Sequence, residues 1–250
     1  MKPLLVTAMF AALASGTPLH AALTINGNGN SGFGGVVGNG SLSVTDDGTN
    51  LTFTFTRGTS SFNDTLVIYF DTTVGGATAL PTSGEIGSPF VGRRAIVNEY
   101  GSGFTFSSGF GSDFAFALKA NGSASNHLFT TPSGANANTL GFVSTHSVSN
   151  FGSTSAASYQ WTIPVASLGL TADSGATFRM ITSYLNPNDG AGSDASFRSN
   201  EAFGYALGGT NPGFSGVTAP SAISYTIVPE PGAAAIGLIG GSLLLLRRRV

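Results

Sequence analysis

The feature that most constrains this chain is a side-chain period of two. Residues 51–56 read Leu-Thr-Phe-Thr-Phe-Thr, so Leu51, Phe53 and Phe55 fall on one side of an extended backbone and three threonines on the other. The same alternation recurs at Leu42 and Val44, at Phe114, Phe116 and Leu118, and at Tyr159, Trp161 and Ile163. It recurs again at Phe203, Tyr205 and Leu207, and at Ile223, Tyr225 and Ile227. Each set predicts a strand with one face on a core. Residues 66–70 are apolar without a break and predict a central strand; residues 178–184 predict a less regular one. Asp47-Gly48 between two such runs predicts a hairpin turn. No part of the body keeps a helical period. Composition agrees: 36 of 250 residues are Gly and 9% are charged, against roughly 25% charged in an ordinary soluble chain. Residues 27–40, rich in Gly and Asn, read as a flexible loop. No Pro-rich or charged linker divides residues 23–227 and no repeat of fixed period occurs, which predicts one all-β domain, an antiparallel sandwich or barrel.

The two ends have a different character. Lys2 precedes an apolar run over residues 4–14, and Thr17, Pro18 and His20-Ala21-Ala22 follow as a break. This predicts a secretory signal over residues 1–22, cleaved after Ala21 or Ala22; an uncleaved anchor is the other reading, for which the run is short. At the other end, Val228-Pro229-Glu230-Pro231 is followed by an uncharged apolar run over residues 232–246 and then by Arg247, Arg248 and Arg249. Two prolines keep the backbone extended ahead of the run. Its fifteen residues can enter a bilayer as a helix but fall short of the roughly 20 that span one stably, and the arginines stay cytoplasmic.

Residues 228–250 resemble the PEP-CTERM sorting signal of Gram-negative bacteria that make exopolysaccharide, with its three parts in order. The resemblance implies that a membrane protease-transpeptidase, exosortase, recognises residues 228–231 and removes the apolar tail after transient inner-membrane insertion. It implies an exported protein delivered to the cell surface or extracellular matrix. An ordinary C-terminal anchor is the alternative. Within the body, the stretch Tyr159 to Ile163, then Pro164, then Leu168-Gly169-Leu170, together with the strand ending at Asp71, is similar to DOMON-like sandwiches and family nine carbohydrate-binding modules. That similarity implies a jelly-roll-like β-sandwich of a kind used to hold sugars or a cofactor.

Candidate chemistry is sparse. With no Cys, the chain has no disulfide, zinc–thiolate or cysteine-nucleophile chemistry. Once the leader and the apolar tail are removed, six basic residues face twelve acidic ones, a net charge of −6 that offers no footprint for nucleic acid. Residues 27–32 match G-x-G-x-x-G in form, but no helix pattern follows to hold a phosphate. Asp46, Asp47, Asp71, Glu99, Asp113 and Glu201 are carboxylates of the type a glycosidase pairs, and nothing in their spacing selects two. His127 and His146 lie in polar surroundings and read as surface residues. Asn186, Asn188, Asp189 and Asp194 form an oxygen-rich loop that suits either calcium or solvated Asx turns. Trp161 and Met180 read as core, and Phe104, Phe106 and Phe110 as sandwich interior. Tyr100 and Tyr184, near loops, are the candidates for an exposed sugar platform. The expectation is a non-catalytic, exosortase-sorted surface or matrix protein associated with exopolysaccharide, without a cofactor other than a structural calcium. A specific carbohydrate-binding module is the alternative and a secreted glycoside hydrolase the third reading.

Overall fold

The computed structural model describes residues 21–80, 91–97, 104–121, 126–131, 140–187, 197–212 and 216–229. Its strands, in chain order, are β1 (Ala22–Asn26), β2 (Ser41–Asp46), β3 (Asn50–Thr56), β4 (Thr65–Asp71), β5 (Phe104–Thr105), β6 (Phe114–Leu118) and β7 (His127–Thr130). There follow β8 (Gly141–Thr145), β9 (Ser158–Pro164), β10 (Thr177–Asn186), β11 (Phe197–Arg198), β12 (Val217–Thr218) and β13 (Ile223–Thr226). Among the described residues a short α-helix, α1, covers Val91–Ile96.

Pairing turns these strands into two antiparallel sheets. The smaller has the order β1-β2-β3-β9; the larger runs β11-β10-β4-β6-β7-β8, with β13 also on β10. Strands β5 and β12 form a separate parallel pair. The β2–β3 hairpin closes through Asp47-Gly48 as the turn chemistry predicts, with Asp47 N–H donating to the Asn50 carbonyl at 3.2 Å.

The alternating residues of the small sheet face the large one. Leu51, Phe53, Phe55, Tyr159, Trp161 and Ile163 meet Leu66, Ile68, Phe70, Phe116, Phe178 and Met180 in the first core. Trp161 is stacked between Phe53, its cross-strand neighbour at 5.4 Å, and Phe116 of the opposite sheet at 5.1 Å. Each such ring removes about 150–250 Å² from water and gains about 0.5–1.5 kcal/mol from ring geometry.

The outer face of the large sheet is covered too. Val67, Tyr69, Ala115, Ala117, Ile181 and Leu185 pack under Ala95 and Ile96 of α1 and under Phe104, Phe106 and Phe110. This second core explains why every residue of β4 is buried and why its sequence does not alternate. It also relocates the three phenylalanines, which lie outside the space between the sheets. Six residues of α1 are too few to display a helical period.

Residues 203–207 do not form the predicted strand. Phe203 makes only an isolated bridge to Gly27, and Gly204 has φ +75°, which breaks the extended run. In a strand Phe203 and Tyr205 would share a face; here Phe203 enters the first core and Tyr205 the second. Residues 27–40 are a loop, as expected, yet an anchored one: Val36 and Val37 are fully buried.

Candidate functional site

Strands β4, β10 and β13 carry an open depression on the outer face of the large sheet. Asp71 ends β4 and stands directly opposite Arg179 on β10, so the ladder register brings together two residues far apart in sequence. Arg179 Nη2 donates to Asp71 Oδ2 and to the Gly109 carbonyl. Its guanidinium lies 5.7 Å from the centre of the Phe110 ring. Asp71 Oδ2 also accepts the Gly111 N–H at 3.2 Å. The side chain of Arg179 is 39% exposed and that of Asp71 8%, so the cation is presented and the carboxylate lies behind it. A pair this exposed adds at most about 1 kcal/mol to stability.

The walls are backbone turns. Asp113 Oδ2 accepts the N–H groups of Thr72 and Thr73 at 2.8 Å each, fixing the turn after β4. Ala77 and Ser112 exchange backbone hydrogen bonds of 2.7 and 2.9 Å. Beside them Gly76 sits so close to the 109–111 turn that a Cβ would fall 2.4 Å from the Gly111 carbonyl oxygen. The resulting cavity is about 470 Å³, rimmed by the threonines of this turn, by Thr177 and by Ser224, with Val74 fully exposed at its edge. Phe110 is 1% exposed, so it supports Arg179 from beneath and presents no face for stacking.

The sequence candidates scatter. Tyr184 is 1% exposed, in the first core 5.5 Å from Phe33 and 6.1 Å from Phe62, because β10 is covered on both faces. It is therefore not an exposed platform, and burial, with Asp64 and Glu201 nearby, pushes its phenol up. Tyr100 lies outside the described residues, as do Asn188, Asp189 and Asp194. Asn186 ends β10, exposed and opposite Phe197. Among the described residues no three His, Asp or Glu gather to hold a metal ion.

Glu99 lies outside the described residues, and Asp46, Asp47 and Glu201 are committed away from the depression. Asp47 caps its own turn through Thr49 and Asn50; although burial opposes its charge, these hydrogen bonds pull it down to about 2. Glu201 is fully buried and accepts four backbone N–H groups: Phe33 (2.6 Å) and Gly35 (3.0 Å) on Oε1, Val37 (2.7 Å) and Gly38 (3.0 Å) on Oε2. The glycine-rich loop is thus an anion nest filled by the protein's own carboxylate. Asn28 and Asn30 extend the clasp to the Asn200 carbonyl at 2.9 and 2.8 Å. The only hint in the sequence is one acid between polar and apolar neighbours, Ser-Asn-Glu-Ala-Phe, and a nest-forming loop far upstream.

His146 is buried, contrary to its polar surroundings in sequence. Its Nδ1 lies 2.7 Å from the Thr162 carbonyl and its Nε2 2.8 Å from Ser144 Oγ, so Nδ1–H donates to β9 and Nε2 accepts the hydroxyl. This ties the edge of the large sheet to the small one. Burial holds His146 below the ordinary imidazole range against that hydrogen bond; burial and the neighbouring His146 do the same to His127.

At the domain's end, the Val228 N–H donates to Asp46 Oδ1 at 3.2 Å and the Tyr225 hydroxyl to Asp46 Oδ2 at 2.5 Å. The same hydroxyl lies 3.1 Å from the Ala21 carbonyl, so both ends of the domain leave side by side. Pro229 is exposed; Glu230, Pro231, residues 1–20 of the expected secretory signal (1–22) and Arg247, Arg248 and Arg249 lie outside the described residues. Among the described residues no helix is long and apolar enough to cross a membrane. No protein-family model, curated protein or solved structure matches this chain.

Proposed function

We propose that this chain is an exported, exosortase-sorted surface or matrix protein of a Gram-negative bacterium, non-catalytic, that associates with exopolysaccharide through the depression at Asp71 and Arg179. The observation that carries the reading is the presented guanidinium in an open cavity of about 470 Å³ rimmed by hydroxyls. Hydroxyl-rich ligands need such a fixed set of donors and acceptors. The exit of the chain at Val228 supports sorting: the Pro-Glu-Pro stretch begins where the last core residue, Ile227, ends. The jelly-roll-like assignment belongs to this proposal and rests on β9, Pro164 and the 3-10 turn Val165–Leu168 closed by Gly169.

The same depression favours a specific carbohydrate-binding module as the second reading, because one defined cavity predicts saturable binding. A glycosidase mechanism needs two carboxyls flanking the scissile bond, and among the described residues Asp71 is the one carboxylate that lines the cavity. Two measurements test the proposal. The mature protein should be recovered from the cell surface or matrix without residues 232–250; a full-length form held in the inner membrane would refute sorting. It should retard in gels containing the producer's own exopolysaccharide, and Arg179→Ala should abolish the retardation; equal mobility of the two proteins would refute the site.

A further inference from the structure

We infer that the depression selects uncharged, hydroxyl-rich saccharides and rejects uronate-bearing ones; the inference rests on reading the depression as a glycan site. Among the described residues Arg179 and Asp71 are the charged groups of the lining, and they neutralise each other. What remains for a ligand is a donor edge of the guanidinium, the hydroxyls of Thr73 and Ser224, and the remaining lone pairs of Thr72 and Thr177, whose hydroxyls already bond Asp113 Oδ2 at 3.2 Å and Thr226 Oγ1 at 2.7 Å. A sugar hydroxyl can accept from the first and exchange hydrogen bonds with the others without displacing the pair.

A carboxylate ligand meets two obstacles. To reach Arg179 it must share the guanidinium with Asp71, placing two anions on one cation. To displace Asp71 instead, it must leave a carboxylate that is 8% exposed with the Gly111 N–H as its remaining partner. Breaking a pair while keeping one charge buried is the costly way to rearrange it. At longer range, the net charge of −6 on the processed chain opposes approach of a polyanion, an effect that reaches about 8 Å at physiological salt and further in dilute buffer. Stacking does not offset this, because Phe110 is buried beneath Arg179. Neutral hydroxyls face none of these penalties.

The test uses the protein purified from its producing cells and hexasaccharides of β-glucan, mannan, galactan and xylan beside those of alginate and polygalacturonate, by calorimetry at 20 and 200 mM NaCl. The inference expects at least one neutral probe to bind with an affinity that changes less than twofold with salt, and Arg179→Ala to weaken it at least tenfold. It also expects Asp71→Asn, which removes the internal counter-charge, to raise affinity for the acidic probes at least tenfold in 20 mM NaCl. Thr177→Val is the second variant: it keeps the ion pair and should weaken the neutral probe several-fold. Acidic probes binding the unmodified protein more tightly, with affinity lost at high salt, would overturn the charge selection and leave the glycan reading standing. Failure of every probe, neutral and acidic, would overturn both.

Discussion

Replacing Glu201 by Gln tests the clasp that closes residues 27–40 onto the sandwich. The carboxylate is fully buried and receives two N–H groups on each oxygen, at 2.6–3.0 Å. Glutamine keeps the shape and one accepting oxygen but turns its amide NH₂ toward the other pair of donors. Two buried N–H groups then lose their acceptor, at about 1–3 kcal/mol each, so a loss of about 4 kcal/mol is expected after relaxation. Glu201→Ala leaves all four donors without it and should cost at least as much. Urea denaturation followed by Trp161 fluorescence reads this directly: the midpoint should move with little change in slope. A Glu201→Gln protein within about 1 kcal/mol of the unmodified one would refute the argument, because the four amides would then need no anion.

Three other perturbations probe the rest of the framework. Trp161→Ala should destabilise by about 3–5 kcal/mol, whereas Trp161→Phe should cost only about 1 kcal/mol, since the indole N–H has no hydrogen-bond partner to lose; equal losses would contradict the stacking between Phe53 and Phe116. Gly204→Ala should cost about 2 kcal/mol, because the new Cβ meets Ile223 at 2.7 Å and the φ of +75° disfavours any side chain; adding Ile223→Val should recover part of the loss, and full recovery would mean that the backbone carries no strain. The folded state holds His146 below its unfolded value of about 6.5, so it binds its proton less readily than the unfolded chain. Stability is therefore complete above about pH 6.5 and falls as the pH drops toward the depressed folded value, by at most about 1.4 kcal/mol per pH unit for each such histidine. His146→Gln should flatten that slope between pH 7.5 and 5.5 in denaturant titrations, and an unchanged slope would place the effect elsewhere.

Local chemistry alone determined much of this fold. Strands β2, β3 and β9 declare themselves through a period of two because each has one face on the core and one in water. Strand β4 declares itself as an unbroken run because both its faces are covered. The Asp47-Gly48 turn and the Pro164 break act within a few residues, where sequence and conformation are most directly coupled. Tertiary structure decided the rest. Whether Tyr184 stacks on a sugar or fills a core depends on what covers β10. Phe203 and Tyr205 serve different cores because Gly204 turns the chain between them. Glu201 reads as a free acid until a loop 163 to 168 residues upstream wraps its four amides around it. Asp71 and Arg179, 108 residues apart, become a pair only through the β4–β10 register. Periodicity records which side of the backbone is buried; which distant groups meet there is set by strand pairing, and that information is spread over the whole chain.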